Sequence, residues 1–318
     1  MNKCVFFLCA ALAAAPAFSQ YPVKPIRLVI GAPAGSAADT VGRVIAEGLT
    51  ESLGKPVVMD NKPGAEGAIA WDSVRYAAAD GHTLALGSFS GLVATPLLNS
   101  SVTYDSRTDF APIALVGYVT MVLSVNSAFP AKSLPELIDF ARANSGKLNY
   151  ATVGAMDALI AGMLMKATGV SMTRVNYKGP GQSIQDLLAG RIDVAINPLG
   201  VHIALAKEGR LRILAVLGAN RDNDIPEVPT TAEYGMPEVA LKPWFGIFGP
   251  ANMPRDRVNL LAREVNLLLK SPDVREKLER RGMKPEGSTP DALGALLAED
   301  LQRWTRIVKD IGLAQAAQ

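Results

Sequence analysis

A chain of 318 residues with 32 Lys+Arg against 30 Asp+Glu carries a formal charge of +2. That balance supplies no long-range field for holding nucleic acid or an anionic membrane. Both cysteines, Cys4 and Cys9, lie in the first twenty residues, so the chain beyond them has no disulfide, thiolate nucleophile or cysteine-ligated metal.

Those first residues, MNKCVFFLCAALAAAPAFSQ, read as a secretory signal. Lys3 precedes an apolar run from Cys4 to Ala15 that is too short to span a bilayer. Ala17-Phe18-Ser19 then puts small residues where a signal peptidase reads. Residues 1–19 are the expected leader, with cleavage after Ser19, Ala17 as the runner-up site and an uncleaved anchor as the alternative. No later segment reaches eighteen consecutive apolar residues, so the mature chain is expected to be soluble.

Short apolar strands then alternate with amphipathic helices. Residues 26–30 read as a buried parallel strand. After a loop, GAPAGSAADT, a helix sets Val41, Ile45, Leu49 and Leu53 on one core face. Strands follow at 57–59 and 83–87, and the alternation argues for a parallel sheet covered by helices on both faces. The scheme repeats with a strand at 121–125, a helix at 134–143 opened by Ser133, a strand at 148–151 and an apolar helix at 158–168. Strands at 174–176, 194–196 and 211–217 enclose helices at 182–188 and 201–208. The stretch NDIPEVPTTAEYGMPEV reads as a crossing segment. A strand at 245–248 and three helices end the chain, with Pro254, Pro272 and Pro290 at or near the helix starts. At this length two domains are expected. The first lobe takes 20–121 and 219–318, the second 122–218, with hinge strands near 122–126 and 213–218.

Catalytic motifs are missing. No P-loop occurs, and no G-x-G-x-x-G follows the first strand. Gly87 to Gly91 has the outline of a nucleophile elbow, but its centre is Phe89. The two histidines, His82 and His202, have no metal-ligand neighbours at suitable spacing and read as ordinary surface or packed side chains. Spacing alone leaves a Ser-His pair open. No metal and no cofactor is expected. Glu299-Asp300 reads as a solvated helix face.

Three loops have the character of an anion seat. In the first, Ser36 and Asp39 fit a capping box, with the Asp39 side chain reaching back to the Ser36 N–H. Ala34, Gly35 and Ala37 leave the backbone bare where free helix amides and the helix dipole favour an anion. Asp39 either caps the helix alone or also meets an ammonium or hydroxyl of the ligand. The second loop offers Thr152, Gly154 and Asp157, and the third Tyr177, Lys178 and Gly179. Ser88 and Ser90 add hydroxyls at the end of the third strand. Ligands of open α/β sheets sit outside the carboxyl ends of the strands, where these loops would meet.

The stretches YPVKPIRLVIGAPAGSAADTVGRV, LGKPVVMDNKPGAEGAIA, GKLNYATVG, NYKGPGQSIQDLLAGRIDVAI and WFGIFGPANMP follow in an order and spacing that resembles one family. It is that of the substrate-binding receptors of tripartite tricarboxylate transporters, the Bug-type receptors. The resemblance runs from Tyr21 to about Gly312, and Gly35, Asp39 and Arg43 match the first-loop motif. It implies an α/β, two-lobed type II periplasmic binding protein fold, each lobe a mixed sheet flanked by helices. It also implies a periplasmic monomer without catalysis, a small carboxylate ligand and membrane permease subunits as partners. The alternatives are a ligand-sensing receptor for a signalling partner and, remotely, a secreted hydrolase using Ser88, Ser90 or an Asp.

The chain departs from the family pattern at Ala32 (commonly Phe), Ser36 (usually Gly) and Glu66 (usually small). Asn197, a further ligand-site candidate, replaces a frequent Asp. The largest departure is Val153 to Asp157, one residue short and without the usual Thr and His. An Asp there disfavours a second carboxylate, because like charges are costly to desolvate together. An amino acid, a monocarboxylate or an aromatic acid is therefore favoured over citrate.

Overall fold

The computed structural model describes residues 21–64 and 67–312. The expected leader and Glu66 lie outside the described residues.

The first lobe grows from β1 (Ile26–Ile30), whose side chains are almost all buried. Helix α1 (Ala37–Leu53) follows, with its apolar face on the sheet and Gly54 stopping it in the left-handed conformation at φ 65°. Strands β2 (Val57–Asn61) and β3 (Thr83–Ser88) pair in parallel with β1, and α2 (Ala68–Arg75) connects them. A π-helical turn, Ser90–Ala94, runs straight into the short α3 (Thr95–Leu98).

These three strands are the parallel part of the mixed sheet that the family resemblance implies. β4 (Phe110–Val119), β10 (Trp244–Pro250) and β11 (Met283–Pro285) join antiparallel, giving the order β11-β4-β10-β3-β1-β2. The long β4 is the one strand of this sheet, with β11, that the alternation did not mark. Its register against β10 slips on each side of Gly246-Ile247, and one slip falls beside Pro112. Proline is tolerated inside a sheet at such an irregularity.

The second sheet has the order β7-β6-β8-β5-β9. Its strands are β5 (Met121–Asn126), β6 (Asn149–Thr152), β7 (Thr173–Asn176), β8 (Val194–Pro198) and β9 (Leu211–Val216). Helices α4 (Leu134–Ala143), α5 (Ala155–Thr168), α6 (Pro180–Leu188) and α7 (Leu199–Lys207) connect them. A single residue, Thr120, separates β4 of the first sheet from β5 of the second. The chain returns through the crossing segment, which holds a short 3₁₀ turn, Pro237–Val239. Helices α8 (Arg255–Leu268), α9 (Pro272–Glu279) and α10 (Pro290–Asp310) complete the first lobe, with Pro254 before α8 and Pro272 and Pro290 opening the other two.

Helix α5 is apolar all round because it is covered on two sides. It packs on β6 and β8 of its own sheet and on the π-turn, α3 and the 3₁₀ turn of the chain outside that sheet. Leu159, Ile160 and Ala161 are fully buried, and one hydrophobic cluster runs through them from the first lobe into the second.

Both histidines are packed, not exposed. The Nδ1 of His202 lies 2.6 Å from the Ser124 Oγ, and both residues are 0% exposed. No substrate can reach that pair. The supposed solvated face at Asp300 also differs, since its carboxylate accepts the Trp244 indole N–H at 2.7 Å. Burial lowers the His202 pKa from 6.5 to about 4. Between those values the unfolded chain binds a proton at this residue that the folded chain does not. This histidine should therefore cost stability progressively as pH falls from about 6.5 to 4. Urea titrations of His202→Gln at several pH values should give a flatter acid limb than the parent, and parallel limbs would contradict the assignment.

Candidate functional site

The first loop is fixed by Asp39, which is 2% exposed. Its Oδ2 accepts the Gly35 N–H at 2.9 Å and the Arg43 Nε–H at 3.1 Å. Its Oδ1 accepts Arg43 Nη2 at 3.1 Å and Asn61 Nδ2 at 3.0 Å. Asn61 also donates to the Ala32 carbonyl at 3.1 Å, so the end of β2 holds the loop as well. The expected capping box is half right. Ser36 Oγ does accept the Asp39 N–H at 3.2 Å. The returning carboxylate, however, meets Gly35 and not Ser36, whose N–H turns to the Pro33 carbonyl at 3.2 Å. Gly35 sits at φ 80°, which presents its amide to the helix. Burial pushes the Asp39 pKa up, but the Gly35 amide, Arg43 and Asn61 outweigh it and the net shift is downward.

With its carboxylate so occupied, Asp39 holds the loop's shape. Ala34 and Gly35 are exposed, and Ser36 and Ala37 are half-buried. The first-turn amides of Ala37 and Ala38 have no acceptor within the helix. Behind the loop, a Cβ on Gly31 would lie 3.1 Å from the Cα of Gly67, so the β1 and α2 connections touch backbone to backbone.

The second loop uses the same device. Asp157 Oδ2 accepts the Val153 N–H at 2.8 Å, again from four residues upstream, and the Gly154 amide adds to it. Gly154 caps α5 in an extended conformation without a side-chain hydrogen bond. The charge balance differs. Asp157 is 5% exposed, and among the described residues no Lys or Arg forms an ion pair with it. Arg174 is its only charged neighbour of note, yet the Arg174 Nε donates to Thr152 Oγ1 at 2.9 Å, and Thr152 donates in turn to Asn176 Oδ1 at 2.8 Å. Burial pushes the Asp157 pKa up to about 7, against the Val153 and Gly154 amides and Arg174.

The remaining candidates divide. Ser88 Oγ accepts the Gly91 N–H at 3.1 Å, from the π-turn that follows it. Ser90 is half-buried and faces the second lobe: a Cβ on Gly154 would lie 3.8 Å from its Oγ. Tyr177 is turned away, its hydroxyl donating to Asp186 Oδ2 at 2.7 Å within its own lobe. Lys178 is exposed, and Gly179 caps α6 in an extended conformation without a side-chain bond. Asn197 is 2% exposed, and its Nδ2 is buried without a protein partner. The β6–β8 register places Asn197 level with Val153, beside the second loop. The first loop, the two serines and the second loop thus share one edge of the two sheets. Arg174 and Asn61 bond to these loops from β7 and from the end of β2, and a reading of the loops alone does not include them.

A family model described as tripartite tricarboxylate transporter family receptor matches residues 41–313. The chain belongs to this family. It is 35% identical over 311 residues to the protein BugT of Bordetella pertussis, covering 97% of this chain and 95% of that protein. Among solved structures, R. palustris Rpa4515 with adipate superposes with a TM-score of 0.87 at 31% identity, over 92% of this chain and 99% of that one. MatC from Rhodopseudomonas palustris with bound malate gives a TM-score of 0.83 at 29% identity, over 91% and 100%. The chain is thus a receptor of a periplasmic family with a two-lobed α/β fold. Among the described residues no helix is long and apolar enough to cross a membrane.

Two outcomes follow from the paired aspartates. Asp39→Asn loses the ion pair with Arg43, and chemical denaturation at pH 7 should show a loss of about 1–3 kcal/mol. Asp157 keeps its proton in the folded chain up to about pH 7, but in the unfolded chain only up to its ordinary 3.8. Its contribution is therefore greatest in acid and lost as pH rises through about 7. Asp157→Asn retains an acceptor for the Val153 amide and should gain melting temperature on the parent between pH 5 and pH 8. A difference that stays constant across that range would refute the assignment.

Proposed function

We propose that this receptor captures a small carboxylate between the loops that open α1 and α5, closes its lobes on it, and delivers it to the membrane subunits of a tripartite transporter. The observation that carries this reading is the repeated brace. In each lobe an aspartate is drawn back onto an upstream amide, which leaves the first-turn amides of its helix for an anion. Ser90, in the turn after β3, brings the first lobe up against Gly154 of the second loop. Contacts made with both lobes at once exist only in the closed arrangement, so binding shifts the population toward it.

Catalysis has little support in these residues. Ser88 is engaged with the Gly91 amide, and the one Ser–His pair among the described residues, Ser124 and His202, is sealed in the core. The secretory leader and the family's location favour action in the periplasm.

The ligand class follows from Asp157. Adipate and malate, bound by the relatives, are dicarboxylates. Here a second carboxylate next to Asp157 would require that residue to hold its proton, which is unfavourable above about pH 7. An amino acid, a monocarboxylate or an aromatic acid avoids that cost, and citrate incurs it most heavily. Titration calorimetry at pH 8 with glutamate, glutamine, benzoate, nicotinate, adipate, malate and citrate should give the tightest binding outside the dicarboxylates and citrate. Tight citrate with no binding of amino acids or monoacids would reverse the ligand assignment. Small-angle scattering should show compaction with the binding ligand and none with the others; unchanged scattering throughout would remove lobe closure.

A further inference from the structure

Thr120 is the only residue between the two sheets on the outward pass of the chain, and it is bonded to three separate parts of the molecule. Its N–H points to the Gly282 carbonyl at 3.5 Å, in the turn before β11 of the first lobe. Its carbonyl accepts the Leu199 N–H at 2.8 Å, at the start of α7 in the second lobe. Its hydroxyl donates to Asp222 Oδ2 at 2.5 Å, just before the crossing segment on the return pass.

Asp222 is 2% exposed. Its Oδ2 also receives Lys284 Nζ at 2.8 Å, from β11, and its Oδ1 accepts the Asp224 N–H at 3.0 Å. A carboxylate this deeply buried is unfavourable without such partners. Both passes between the lobes are therefore tied to one another, and to the first lobe, through a single side chain.

The two lobes also touch backbone to backbone beside this cluster. A Cβ on Gly200 of α7 would lie 2.4 Å from the Arg281 carbonyl oxygen, and one on Gly282 would lie 2.6 Å from the Gly200 nitrogen. Gly282 is at φ 73°, so glycine is favoured there on two counts. The start of α7 rests on the α9–β11 turn with no side chain between them.

We propose that Asp222 is a latch across the hinge: its bonds to Thr120 and Lys284 set the angle between the lobes, and the Gly200–Gly282 contact is the bearing on which the second lobe turns. The inference rests on the reading of the protein as a receptor whose lobes move. With the latch intact, the lobes rest in a narrow range of angles. Without it, the second lobe samples wider openings even with no ligand present.

The test needs no ligand, so its failure is separate from failure of the carboxylate assignment. Spin labels at Val58→Cys on β2 and Gln182→Cys on α6, both exposed positions in different lobes, report the cleft in a chain with Cys4 and Cys9 changed to serine. Double electron–electron resonance on the parent should give one narrow distance distribution. Lys284→Met and Thr120→Val should each add a longer population, and Lys284→Arg should restore the narrow one. Lys284 is half exposed, so its replacement leaves the fold standing even if Asp222→Asn does not. Gly200→Ala should move the distribution without touching the latch. Parent-like distributions in Lys284→Met and Thr120→Val would overturn the proposal, as would equal broadening in Lys284→Arg and Lys284→Met.

Discussion

A carboxylate turned back onto a backbone amide four residues upstream opens both α1 and α5, and the proposed site depends on that contact. Asp39 takes the Gly35 amide and Asp157 the Val153 amide. Each bond closes a tight loop between a parallel strand and a helix, and each fixes where the free amides of the first turn point. The surroundings then separate the two. Arg43 and Asn61 complete the charge on Asp39, so the first loop is finished before any ligand arrives. Asp157 lacks such partners and is left to its proton, to Arg174 across the strands, or to whatever the ligand brings. The same backbone device therefore gives one prebuilt loop and one responsive loop.

The responsive loop is attached to the most buried helix of the second lobe. α5 meets its own sheet on one side and elements of the first lobe on the other. Full burial of an aliphatic side chain such as Leu159 or Ile160 contributes about 1.5–3 kcal/mol. Part of that burial is against the first lobe, so apolar contact along α5 ties the two lobes together. The loop at its N-terminus is then carried by a rigid element and not by a flexible tether. A bound anion at Gly154 would act on the seam between the lobes directly.

Much of this architecture was legible in the residues. Strands β1, β2, β3, β5, β6, β8 and β9 and helices α1, α4 and α6 follow their apolar periods to within a few residues. β4 was not, because Pro112 and Gly117 interrupt its pattern and its register slips against β10. The antiparallel half of the first sheet was hidden for a related reason: periodicity marks a strand without saying which neighbour it will find. At the candidate site, loop composition singled out loops at one edge of the sheets, but it could not foresee partners. Asn61 and Arg174 reach the loops from inside strands. Tyr177 looked available and is bonded to Asp186. Ser36 and Asp39 fit a capping box, and the φ of Gly35 redirects the second half of it.

In the three candidate loops Lys178 is the only cation, so little positive charge is set aside there for an anion. In the proposed site amides and helix ends would do that work instead, and they serve any carboxylate about equally well. Discrimination must then come from what surrounds the shared seat. Beside the second loop lie Asn197, whose buried Nδ2 has no partner among the described residues, and Asp157, whose pKa is pushed up to about 7. One offers a donor and the other holds or refuses a proton. On the proposed reading, a ligand that satisfies both would gain where a plain polycarboxylate would not, while the first loop would supply the part of the binding that all acids share.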